Sequence, residues 1–304
     1  CNPICLIHAV DALYNIVDQI FIGRGVGYLG IAATTVTFPF VTILLSIATL
    51  LGIGGSVYTS MNLGAGKEAE AEKTLGTVFT LSVAIGILFT VICLTFLKPL
   101  ALAFGATKGA QGSLSYVLDY VPIILLGAPF SMAAIALSSM ARACGSPILA
   151  MGCFLVGAVI NLVLDPIYIF VFNWGVKGAA IRYRNLADHV RGHTVGLLFK
   201  ERAYPVKKKK ISALHYPSSG QIFAFGLPSC MIQVAVTILQ IELNKAVVSC
   251  EMAGVGSEAA LSSLGIVLRI SSVVVAICVG IALGMQPIIG FNKGAGFDTG
   301  SKNL

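Results

Sequence analysis

QPIIGFNKGAG, residues 286–296, closes a long apolar run much as NLGAG, residues 62–66, closes an earlier one. The two N-x-G-A-G copies begin at Asn62 and Asn292, an offset of 230 residues, and Gly54 pairs with Gly284 at the same offset. The openings of the two runs match as well: GVGYLGIAA from Gly25 parallels GVGSEAALS from Gly254. Self-similarity at this distance marks an internal repeat of whole helical bundles.

The composition says what kind of bundle. Of 304 residues, 57% are hydrophobic and only 11% charged, and the mean hydropathy is +0.91. Soluble domains carry roughly 25% charged residues. Apolar runs near 4–22, 31–60, 75–97, 116–138, 148–172, 221–248 and 260–290 are each long enough to cross a bilayer. Lipid forces backbone groups to be satisfied within a segment, so these runs are expected to be helices, and the fold class is an all-α polytopic membrane protein.

The net charge of +7 is carried in short loops, with no basic patch interleaved with aromatics, so nucleic acid is not an expected partner. The eight cysteines form no CxxC pair and fall mostly inside apolar runs, where they read as filler. A further stretch of spanning length, IRYRNLADHVRGHTVGLLF at 181–199, holds three arginines, an aspartate and two histidines. Arginine at a helix centre costs roughly 2.5–3.5 kcal/mol on insertion scales, so this segment serves badly as a span. Placing it across the membrane nevertheless gathers Lys67, Lys73, Arg142, Lys200, Arg202 and Lys207 to Lys210 on one side. That predicts a cytoplasmic N-terminus.

Polar residues inside the runs are the candidates for function, because lipid penalises them. His8, Asp11, Tyr14, Asn15 and Asp18 fall within an arc of about 120° on the first helix at 100° per residue. In NLVLDPIYIF, 161–170, Asn161 and Asp165 are four apart and share a face. Pro166 removes the helical partner of the Leu162 carbonyl. A carboxylate, an amide oxygen and a free carbonyl within one turn suit a proton or a hard cation such as Na⁺. Gln233, Thr237, Gln240 and Asn244 form a second stripe within about 60°. Aligning LYNIVD with LQIELN sets Asn244 where Asp18 stands, so the second repeat keeps the polarity and drops the charge. Interhelical hydrogen-bonding glue is the bland reading of the first-helix stripe, and two acids there raise the cost above what glue needs.

Taken together, YNIVDQIFIGRGVG (14–27), NLGAGKEAEAEKTLG (62–76), ARACGSPILA (141–150), NLVLDPIYIF (161–170), GVKGAA (175–180), GLPS (226–229) and QPIIGFNKGAG (286–296) resemble the multidrug and toxic compound extrusion (MATE) transporters, most of all their DinF-like branch. The resemblance implies a twelve-helix fold of two six-helix lobes. This chain would supply the first lobe and the first two helices of the second repeat. The implied domains are 1–199 (helices 1 to 6, with 6 aberrant at 181–199, as after a compensated frameshift), a basic linker at 200–220, and a truncated second lobe at 221–304.

The implied function is efflux of amphipathic or cationic drugs and toxins by alternating access, coupled to H⁺ or Na⁺, without enzymatic activity or a cofactor. Asp18, Tyr14, Asn161 and Asp165 would form the cation or proton site. Asp11, Asn15, Gln233, Thr237, Gln240 and Asn244 would add polarity to the cavity. Where the family often carries a threonine after GAA, this chain has Tyr183. The expected setting is the plasma (inner) membrane of a prokaryote, with the lipid bilayer as partner and a monomeric state. Two alternatives stay open: a lipid-linked oligosaccharide flippase of the same superfamily, and a membrane fragment that transports nothing. An intramembrane protease is disfavoured because no GxGD motif occurs.

Overall fold

The computed structural model describes residue 17, residues 20–24, 27–108, 112–146, residue 152, and residues 216–249 and 257–296. Six helices run through them: α1 (Tyr28–Gly64), α2 (Glu68–Thr95), α3 (Leu97–Ala103), α4 (Leu114–Ala143), α5 (Tyr216–Ser249) and α6 (Ser257–Gly294). Five of these coincide with expected spans. Those expected near 4–22, 148–172 and 178–199 lie outside the described residues, apart from 17, 20–22 and 152. Helix α5 begins at Tyr216, inside the stretch 200–220 expected as linker. Pro217 is its second residue, where the missing N–H would have no helical partner in any case. The seven-residue α3 was not expected.

Helices α1, α2, α4 and α5 are long and apolar enough to cross a membrane. At 37 residues α1 is about 55 Å long, so it must overhang or tilt in a hydrocarbon layer of roughly 30 Å. It is apolar all round because it is the central helix. Leu51 packs with Val78 of α2, Leu137 and Met140 of α4, and Ile222 of α5. Phe40 meets Phe104 edge-on, 4.7 Å between ring centroids, in a cluster that also takes in Val121 of α4 and Leu261 of α6. The core is therefore continuous between the first-repeat helices and the two that follow. Helices α5 and α6 expose broad apolar faces, including Ile232, Leu239, Val267 and Val274, as lipid or a further helix would require.

Many buried hydroxyls are satisfied inside the apolar bundle. On α1, the hydroxyls of Thr35, Thr37 and Ser60 donate to carbonyls four residues back. Pro129 in α4 cannot donate to the Leu125 carbonyl. Thr90 of α2 does so in its place at 2.8 Å, while also lying 2.9 Å from the Gly86 carbonyl of its own helix. The same logic recurs at Pro39, with a partner from another helix, as described below.

Candidate functional site

The polar residues that come together lie in the seam where α5 and α6 pack against α1. Helix α5 runs antiparallel to α1: Asn244 reaches Thr35 near the Tyr28 end, and Gly226 meets Leu50 further towards the Gly64 end. Helix α6 runs parallel to α1, with Gly265 against Thr35 and Gly290 against Ser60.

In the half towards Gly64 the backbones touch. A Cβ on Gly54 would fall 1.9 Å from the Ile222 carbonyl oxygen, and one on Gly226 would fall 2.0 Å from that of Leu50. The contact is reciprocal between two i, i+4 pairs, the small-residue geometry of membrane helix crossings. It recurs between α1 and α6. A Cβ on Gly64 would meet the Phe291 oxygen at 2.2 Å, and one on Gly294 the Met61 oxygen at 2.1 Å. Met61 and Phe291, like Gly64 and Gly294, are equivalents at the 230-residue offset, so the contact is isologous about a pseudo-two-fold axis. Thr35 with Gly265 and Ser60 with Gly290 are equivalents in contact as well. The sequence repeat is thus a symmetry of the packing.

Towards Tyr28 the seam is held by side chains. Thr237 donates to the Thr42 hydroxyl at 2.9 Å, and Thr42 donates on to the Pro39 carbonyl at 3.1 Å. Gln240 donates to Asn244 Oδ1 at 3.1 Å. Asn244, fully buried, donates to the Phe104 carbonyl at 3.1 Å and lies 3.5 Å from the Thr35 carbonyl. The Thr35 carbonyl is the one that Pro39 leaves without a helical donor. Gly105 makes this approach possible: its φ of +106° suits glycine, and a Cβ there would sit 3.1 Å from Asn244 Cβ. Glu258, in the first turn of α6, places Oε1 on the Ser113 N–H at 2.9 Å and on the Thr107 hydroxyl. Its Oε2 is buried without a hydrogen-bond partner among the described residues.

The sequence-derived candidates divide accordingly. Asp11, Tyr14, Asn15, Asp18, Asn161 and Asp165 lie outside the described residues. Gln233 is half-buried, and its carbonyl lies 2.8 Å from the Thr237 hydroxyl. Thr237, Gln240 and Asn244 were expected along a cavity, but this conformation packs them inside the seam, each 4% exposed or less. Among the described residues their side chains bond to α1, to the Phe104 carbonyl and to one another. Glu258 was missed, because an acid in a first helical turn reads as a partner of the helix dipole. Only its contact with residues 107–113 sets it apart. Glu242 faces outward in an exposed pair with Lys245 at 3.3 Å. Arg269 lies over the Phe38 ring of α1 at 5.5 Å.

A cavity of about 520 Å³ opens between α1, α5 and α6 in the Gly64 half, lined mainly by Ile53, Val57, Met61, Met285 and Ile289, with Ser229, Gln286 and Lys293 as its polar points.

Comparison with known proteins assigns the architecture. The chain is 28% identical over 294 residues to the multidrug export protein MepA of Staphylococcus haemolyticus, covering 95% of this chain and 62% of the relative. The chain thus spans less than two thirds of the length of that protein. It superposes with a TM-score of 0.89 and 32% identity on the MATE multidrug transporter DinF-BH, covering 96% of this chain and 64% of that one. It shares its fold, with a TM-score of 0.86 and 23% identity, with an outward-facing multidrug resistance MATE transporter, covering 99% of this chain and 65% of that one. The MatE family model matches residues 3–167. The chain is a multi-pass membrane protein and belongs to the MatE family.

Proposed function

We propose that this chain provides the first repeat and the opening of the second in a cation-coupled multidrug efflux antiporter. The observation that carries the reading is the family membership, joined to relatives whose names describe multidrug export. Protons or Na⁺ bind around Asp18, with Tyr14 beside it, and around Asn161 and Asp165. Occupancy biases the two repeats between inward- and outward-facing arrangements, exporting amphipathic or cationic small molecules. Two acids on apolar helices are costly unless they serve a site of this kind, which supports placing the coupling there.

The neutral Asn244 at the repeat position of Asp18 supports an asymmetric division of labour, with charge in the first repeat and hydrogen bonding in the second. We place the protein in the plasma membrane of a prokaryote as a monomer, with its N-terminus in the cytoplasm, on the distribution of basic loop residues.

The test is transport of a fluorescent organic cation in membrane vesicles under imposed proton or sodium gradients. Asp18→Asn and Asp165→Asn should each abolish gradient-driven transport while leaving membrane insertion intact. Gradient-driven transport at wild-type rates in both variants would refute the site.

A further inference from the structure

We propose that Glu258 is a releasable latch between the two repeats, holding the Tyr28 end of the seam shut. Its role in transport rests on the alternating-access reading; its geometry does not. The carboxylate belongs to α6, and both its donors belong to the segment joining α3 to α4 in the first repeat. Leu114 N–H donates to the Thr107 carbonyl at 3.2 Å, and Thr107 N–H lies 3.4 Å from Ser113 Oγ, so Thr107 and the start of α4 are held together. Glu258 Oε1 accepts the Thr107 hydroxyl and the Ser113 N–H together, where those residues meet. Beside it, Asn244 of α5 takes the Phe104 carbonyl just upstream. Two helices of the second repeat thus grip one short stretch of the first.

The grip is built to let go. Hydrogen bonds to an ionised acceptor are the strong kind, which favours the closed state. Yet Glu258 is 8% exposed and its Oε2 has no partner among the described residues, and a buried carboxylate oxygen without a donor is unfavourable. Lifting the start of α6 off the loop loses two bonds and returns that oxygen to water. Opposing terms on one side chain make a two-state element, as switching interfaces require. The glycine contacts at the other half set backbone against backbone, and among the described residues no carboxylate is held in them.

The experiment uses the full chain in lipid nanodiscs, with spin labels carried on unnatural amino acids so that the native cysteines remain. One label pair, at Lys98 and Ser263, spans the Tyr28 end; another, at Lys67 and Ile288, spans the Gly64 end. Distance distributions are recorded without substrate or ion gradient. In the wild type the first pair should be dominated by a short distance. Glu258→Ala should raise the ratio of long to short distances about tenfold, the effect of roughly one net charge-assisted hydrogen bond. Glu258→Gln, whose amide oxygen still accepts both donors, should recover most of the short population. Thr107→Val, which leaves α6 untouched, should give an intermediate shift, and it decides the matter if Glu258→Ala does not fold.

Wild-type distances in Glu258→Ala or, should that variant not fold, in Thr107→Val would overturn the latch. So would equal broadening at both ends in Glu258→Ala and Glu258→Gln. Because no gradient is applied, a failure of ion-driven transport would count against the antiporter reading and leave this result standing.

Discussion

Along α1 the seam has two halves held by different forces. From Leu50 to Gly64 the neighbours are backbone on backbone, four glycines admitting carbonyl oxygens where any side chain would collide. From Thr35 to Thr42 the neighbours are the Thr237 hydroxyl and the Asn244 amide of α5, and Asn244 and Glu258 hold Phe104, Thr107 and Ser113 close by. The first half is specified by shape and tolerates no added volume. The second is specified by pairing, and pairing can be exchanged for water at small net cost. A seam with a close-packed half and an exchangeable half suits the alternating access proposed above.

Substitutions should separate the halves. The largest effect belongs to Gly54→Leu, whose Cβ would lie 1.9 Å from the Ile222 oxygen. It should cost about 3 kcal/mol or more, seen as loss of a cooperative thermal transition in detergent. Next comes Asn244→Leu, which leaves the Phe104 carbonyl and the Gln240 amide buried without partners. It should cost about 2–3 kcal/mol by the same measurement, and the chain should still fold. Thr237→Val removes one link to Thr42 and should cost about 0.5–1.5 kcal/mol. Lys245→Ala breaks only the exposed pair with Glu242 on the far face of α5, and its change should stay below about 0.5 kcal/mol. If Thr237→Val destabilised more than Gly54→Leu, the contrast between the halves would be reversed.

Much of this was legible in the sequence because lipid is a strict solvent. Only continuous apolar runs can cross it, so the four helices able to span among the described residues were readable, and α6 with them. Their ends were not, since turns such as Tyr216–Gly220 continue a helix without being apolar. The stripe at Gln233, Thr237, Gln240 and Asn244 followed from helical periodicity. Its partners did not, because they depend on where Pro39 leaves a carbonyl open and where Gly105 lets the chain pass. The 230-residue repeat foretold equivalence, and the structure turns equivalence into contact at Met61–Gly64 and Phe291–Gly294. Gly54, paired in sequence with Gly284, meets Gly226 and Ile222 instead. A repeat fixes symmetry without saying which surfaces meet. Glu258 was invisible for a related reason: its first-turn position explains an acid locally, and only the distant loop at Thr107 and Ser113 gives it another use.

The most direct test of the two-part seam is hydrogen exchange along α5 of the wild-type chain in nanodiscs, where both halves lie on one helix. Amides at 238–244, beside the polar contacts, should exchange through local opening markedly faster than those at 224–230, beside the glycine crossing. Equal protection across α5, or faster exchange at 224–230, would contradict it.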